Sequence, residues 1–201
     1  MWKRKQIESR ADTESGSHIA LLTGRVQGGK TTIAGEVVGA LTGKGLRVAG
    51  FLCEGSFRDG ERDSFTLREL TSGTGMLLAT VEFREGWSRY RRFYFNPATM
   101  EQAENMVLAS LEERPALIVI DEAGPMELEG TGWYGLLEEL SRIESIPQLW
   151  VARDGVVEQV REKWGIPEEN VFRAAPRMDR QAREQLAGSL VEHLMKQIAA
   201  E

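Results

Sequence analysis

Residues 24–31 read Gly-Arg-Val-Gln-Gly-Gly-Lys-Thr, and Thr32 follows. The spacing is that of the Walker A phosphate-binding loop, Gly-x-x-x-x-Gly-Lys-Ser/Thr. Its chemistry is capture of a polyphosphate. Gly24 and Gly29 permit backbone angles that a side chain forbids. Successive amides through Arg25, Val26, Gln27, Gly28 and Gly29 can then turn inward as an anion nest. A helix opening at Lys30 adds the positive end of its dipole. Lys30 is expected to reach the β- and γ-phosphates of ATP or GTP. Thr31 is expected to offer its hydroxyl to Mg²⁺, and Thr32 to bond the α-phosphate. The bland alternative is a glycine-rich turn without a ligand. The loop's place after a predicted strand and before a predicted helix argues against it.

A second constellation is Leu117-Ile118-Val119-Ile120-Asp121-Glu122. An apolar strand ending on an acid is the Walker B pattern. Asp121 is expected to hold Mg²⁺, usually through water, because that hard ion prefers oxygen ligands and keeps several waters. Glu122 is placed to orient and deprotonate an attacking water. Lys30 and Glu122 are thus the candidate catalytic pair. Arg58 and Arg62, in an arginine-rich middle section, are candidates for positive charge over the γ-phosphate. Solvated hairpin arginines are the competing reading. Arg153 follows a predicted strand at the edge where ligands bind, and is a candidate phosphate or base contact. Glu127 reads equally as a helix cap. Trp133, Trp164 and His193 read as packing residues.

These residues need a frame. The apolar run 18–23 reads as a buried strand, residues 30–41 as a helix and 47–54 as a second strand, a βαβ unit around the loop. Between residues 55 and 95 short strands are expected at Phe65, Leu67, 76–81 and 90–95. The turn signals Asp59-Gly60, Ser72-Gly73 and Glu85-Gly86 separate them. Asn96-Pro97 opens a helix as N-cap and first helical residue. The continuous run 116–120 reads as a central parallel strand. A helix over 133–143, a strand over 148–152, a helix over 156–164, a short strand at 171–172 and a long helix over 179–199 complete the chain. This is an α/β fold with a mostly parallel central sheet plus antiparallel hairpin strands. Residues 18–201 are expected to form one domain, behind a polar tail over 1–17.

Composition narrows the classes. The chain has 201 residues and a net charge of -6, which argues against sequence-independent nucleic-acid binding. Cys53 is the single cysteine, so a disulfide within the chain and a cysteine-rich zinc site are excluded. That usage suits a reducing cytoplasm. No apolar run is long enough to span a membrane, which takes about 18 residues.

Residues 121–128, Asp-Glu-Ala-Gly-Pro-Met-Glu-Leu, resemble the Asp-Glu-Ile-Gly-x-Met-Glu-Leu signature of the THEP1-type nucleoside-triphosphatases. Gly50-Phe51 and Glu54 match a family strand. Arg62 falls in register with a family arginine, Arg58 is offset by one, and residues 92–101 are similar to a family stretch. The resemblance spans roughly residues 18–175. It implies a three-layer, RecA-like P-loop NTPase fold and slow hydrolysis of several NTPs to NDP and phosphate. Val26-Gln27 stands where the family usually has Pro-Gly, and Ala123 replaces the isoleucine of the signature, which points to a divergent branch. Two other functions share the loop: a P-loop kinase for a small molecule or nucleotide, and a nucleotide-gated switch with negligible turnover. The Asp121-Glu122 pair favours water as acceptor. No Asn-Lys-x-Asp guanine-reading sequence occurs.

Overall fold

The computed structural model describes residues 18–26 and 28–200. The expected tail over residues 1–17 and the loop residue Gln27 lie outside the described residues. In chain order the first elements are β1 (Ile19–Gly24), α1 (Lys30–Thr42), β2 (Val48–Arg58), β3 (Glu61–Glu69) and β4 (Gly75–Thr80). Then come β5 (Ser88–Tyr90), β6 (Phe93–Phe95), α2 (Pro97–Ser110), β7 (Leu117–Ala123), α3 (Pro125–Leu128) and α4 (Tyr134–Leu140). The chain ends with β8 (Gln148–Arg153), α5 (Val157–Lys163), β9 (Val171–Ala174) and α6 (Arg180–Ala200).

The strands form one sheet in the order β5-β6-β4-β3-β2-β7-β8-β1-β9. From β2 to β9 every neighbour is parallel. From β2 to β5 every neighbour is antiparallel. In the parallel part, successive side chains enter different cores, as strand alternation requires. Ile19, Leu21, Ile118, Ile120 and Trp150 pack with Val107 of α2, Leu136, Leu137 and Leu140 of α4 and Val160 of α5. Ala20, Leu22, Leu117, Val119 and Val151 pack with Ile33, Val37 and Leu41 of α1 and Leu190 and Leu194 of α6. Strands buried on both faces explain why the run before Asp121 is apolar without interruption.

Several boundaries differ from expectation. β2 continues past Glu54 to Arg58 because β3 pairs with it along its whole outer half, from Phe51↔Glu69 to Arg58↔Glu61. The segment 90–95 is two strands, not one: Arg91 takes a left-handed turn (φ 53°) and folds β6 back on β5. The one-turn helix α3 was not expected. The helix expected over 133–143 ends at Leu140, where Gln148 Nε2 donates to the carbonyls of Leu140 (2.8 Å) and Ile143 (3.3 Å). Asn96 caps α2 by accepting from the Ala98 amide at 3.1 Å. Trp133 packs on Phe51, Trp164 on Trp150 and His193 on Phe172. No described helix is long and apolar enough to cross a membrane.

Candidate functional site

β1 delivers the chain to Gly24 at the carboxyl edge of the parallel strands, where ligands bind in sheets of this kind. The loop then turns back. The Gly28 amide donates to the Arg25 carbonyl at 2.9 Å, and a Cβ at Gly28 would stand only 2.8 Å from that oxygen. Gly29 caps α1 in the left-handed region (φ 79°), a conformation that glycine adopts without steric cost. Lys30 is buried, and its Nζ donates to the carbonyls of Gly24 (3.0 Å) and Arg25 (3.1 Å). The ammonium therefore lies folded across the loop. Burial lowers its pKa, opposed by the charges of Glu122 and Asp121. Arg25, Val26 and Thr32 are exposed, while Gly24 is buried.

Thr31 begins the link to the acidic strand: its Oγ1 donates to Asp121 Oδ2 at 2.7 Å. The backbone amide of Cys53, on β2, donates to the same oxygen at 3.1 Å. Asp121 is buried. Burial, and then the neighbouring charge of Glu122, raise its pKa from 3.8 to about 6. Among the described residues no cluster of three or more His, Cys, Asp or Glu could cage a metal. The Thr31 and Asp121 oxygens instead fit a hard ion that keeps several waters and shares substrate phosphates.

Glu122 occupies an irregularity in the β7–β8 ladder, where Asp121 pairs with Val151 and Ala123 with Ala152. Bulges of this kind re-aim a side chain. Its Oε1 accepts from Arg153 Nε in a tight ion pair at the end of β8. Arg62, on β3, also faces this charge cluster, under the influence of Glu122, Asp121 and Arg153. Its guanidinium lies 5.0 Å from the ring centres of both Phe57 and Phe65. Its Nε is buried without a hydrogen-bond partner among the described residues.

Lys30, Thr31, Asp121, Glu122, Arg153 and Arg62 thus share one place. Arg58 does not join them. It is bound at the hairpin end to Asp63 (3.3 Å) and Glu82 (3.0 Å), with its side chain 63% exposed. Arg92 and Arg84 are likewise paired, with Glu61 and Glu82. Two contributors were not readable. One is the Cys53 amide, a backbone group with no sequence signal. The other is Gly55, where a Cβ would stand 2.5 Å from Arg62 Nε, so its lack of a side chain makes room for that guanidinium. Glu127 proves to be a buried clamp: Oε2 accepts from the Gly124 amide (2.8 Å) and Oε1 from the Trp133 amide (2.9 Å). It holds the exit of β7 against the start of α4, and its signal was the Gly-Pro-x-Glu order of an N-terminal cap.

The family model described as NTPase matches residues 19–165. Nucleoside-triphosphatase THEP1 of Methanopyrus kandleri is 29% identical over 185 residues, covering 89% of this chain and 96% of that protein. Nucleoside-triphosphatase THEP1 of Archaeoglobus fulgidus is 36% identical over 119 residues, covering 59% of this chain and 68% of that one. Among solved structures, THEP1 from Aquifex aeolicus superposes with a TM-score of 0.65 at 20% identity, covering 88% of this chain and 98% of the other. A human cancer-related nucleoside triphosphatase does so at 0.61 and 23%, covering 88% and 97%. The two structures share a P-loop NTPase fold with this chain. The family match runs from the phosphate loop through the acidic strand and beyond, and the chain belongs to the THEP1-type nucleoside-triphosphatase family.

Proposed function

We propose that the chain hydrolyses nucleoside triphosphates such as ATP and GTP to the diphosphate and phosphate, with Mg²⁺, and uses Glu122 to activate water. The observation that carries this reading is the 2.7 Å bond from Thr31 to Asp121. It ties the phosphate loop to an acidic strand that is not its neighbour, because β8 lies between β1 and β7. We read that inserted strand as the mark of a RecA-like, three-layer arrangement, and residues 18–201 as one domain. A cytoplasmic setting is proposed on the lone Cys53, whose thiol pKa burial pushes well above its ordinary value.

The residues act as follows. The loop amides and the start of α1 bind the phosphates. Lys30 leaves the Gly24 and Arg25 carbonyls for the β- and γ-oxygens. Thr31 and Asp121 would hold Mg²⁺, which would supply neutralising charge to the phosphates. Glu122 orients a water and takes its proton as the new P–O bond forms and the bond to the β-phosphate oxygen breaks. Arg62, whose Nε has no hydrogen-bond partner among the described residues, supplies further charge to the transferred group.

The test is phosphate release from ATP and GTP, with and without Mg²⁺ and candidate acceptors. Glu122→Gln is expected to lower kcat by about 10²–10⁴-fold while nucleotide still binds. Turnover that survives this change removes Glu122 from the water-activating role. Phosphorylated acceptor without free phosphate would make the chain a kinase, and tight binding without either product a switch.

A further inference from the structure

We propose that Arg153 is an exchange residue. It holds Glu122 before the triphosphate arrives, then moves to the γ-phosphate and frees Glu122 for the water. This rests on the hydrolytic reading above and adds a step to it.

The placement is specific. Arg153 is the last residue of β8, the strand between the two halves of the site. On one side it lies in register with Gly24, the first residue of the phosphate loop. On the other its neighbour Ala152 pairs with Ala123, and its guanidinium bonds Glu122. No other described side chain is positioned by strand pairing between the loop and the water-activating carboxylate.

The chemistry of the pair supports exchange. Arg153 engages Glu122 Oε1 through Nε alone, and its terminal nitrogens have no hydrogen-bond partner among the described residues. The pair is partly solvated, with side chains 34% and 26% exposed, so no deep desolvation locks it. While it stands, Oε1 is occupied by a guanidinium where the attacking water would have to sit. A γ-phosphate offers more charge and more oxygens than one carboxylate, and a guanidinium fork matches it. The same arrival draws on Lys30 and Arg62, the other cations facing Asp121 and Glu122. A diphosphate lacks the group that would pull Arg153 across. The exchange thus ties release of the base to the presence of a cleavable phosphate.

A binding cycle tests this without needing turnover. Mg²⁺ with the β,γ-imido analogue of ATP, and separately with ADP, is titrated into the wild-type chain, Glu122→Gln, Arg153→Ala and the double variant. Glu122→Gln removes the carboxylate charge and releases Arg153. Binding of the imido analogue is expected to tighten about tenfold, with ADP unchanged. In the Arg153→Ala background the same Glu122 change is expected to bring no tightening. Tightening that persists there would mean that Glu122 merely repels the γ-phosphate, and would overturn the exchange, as would no tightening in Glu122→Gln alone. Arg153→Gln, which keeps a hydrogen-bonding side chain without the charge, repeats the cycle if Arg153→Ala loses ADP binding; the same loss of coupling is expected. Failure of hydrolysis itself shows separately, as no phosphate release by the wild-type chain.

Discussion

Asp121 is a buried carboxyl whose pKa stands at about 6 against an ordinary 3.8, chiefly through burial. The sign of its effect on stability is opposite to that of a salt-bridged acid. Between those two values the folded chain binds more protons than the unfolded one, so stability falls as pH rises and levels off above about 6. Asp121→Asn removes this slope. Urea unfolding of the metal-free protein between pH 4 and 7 is expected to show the wild type losing stability relative to the variant as pH rises; parallel curves would contradict it. Lys30, Thr31, Asp121 and Glu122 were legible in sequence because each belongs to a short local pattern with its own physical reason. Arg58 and Arg62 were told apart in sequence only by the resemblance, which puts Arg62 in register with a family arginine and Arg58 one position off. They flank one turn, and the β2–β3 register, with the acids Asp63 and Glu82, decides which one turns to solvent.

At the scale of elements, two short connections set the site's geometry. Glu127 satisfies two backbone amides, one at each end of the passage from β7 to α4. Glu127→Ala leaves both donors without their acceptor and is expected to cost about 2–4 kcal/mol, measured as a lower urea midpoint. Glu127→Gln, which still offers one acceptor oxygen, is expected to lose less. The β2–β3 hairpin is the other connection. Gly55→Ala displaces the Arg62 guanidinium, and steady-state kinetics are expected to show lower kcat with ADP affinity unchanged. An equal loss of ADP affinity would point to a general disturbance of the loop. The longer helices were readable from periodicity and the parallel strands from short uninterrupted apolar runs. The split between β5 and β6 was not, because Arg91 adopts a left-handed turn that its residue type does not announce. The outer half of β2 was hidden for a related reason: Gly55 to Arg58 lacks an apolar run and is held in the strand by pairing with β3.

Across the whole molecule, one sheet joins a parallel half that carries Gly24, Asp121 and Glu122 to an antiparallel half that carries Arg62. The junction is Gly50. Its φ is 107°, and a Cβ there would stand 2.0 Å from the Val119 carbonyl oxygen of β7. Gly50→Ala is therefore expected to destabilise the fold by more than about 2 kcal/mol, seen in the urea midpoint, where Gly39→Ala on open α1 surface should not. A wild-type midpoint for Gly50→Ala would show that the two halves have more freedom than their close approach implies. The strand order was the least legible feature. Sequence announces strands and helices by period, but says little about which strand lies beside which when the contacts are distant.

That order has a consequence during synthesis. β1 is the first of the described strands to be made, yet among the described residues its strand partners are β8 and β9. Until residues 148–153 leave the ribosome, β1 and the loop after it have none of their described strand partners, whereas β2, β3 and β4 can pair as soon as they appear. The residue that completes β8 is Arg153. A chain cut short before it lacks both the strand end that lies beside Gly24 and the ion-pair partner of Glu122.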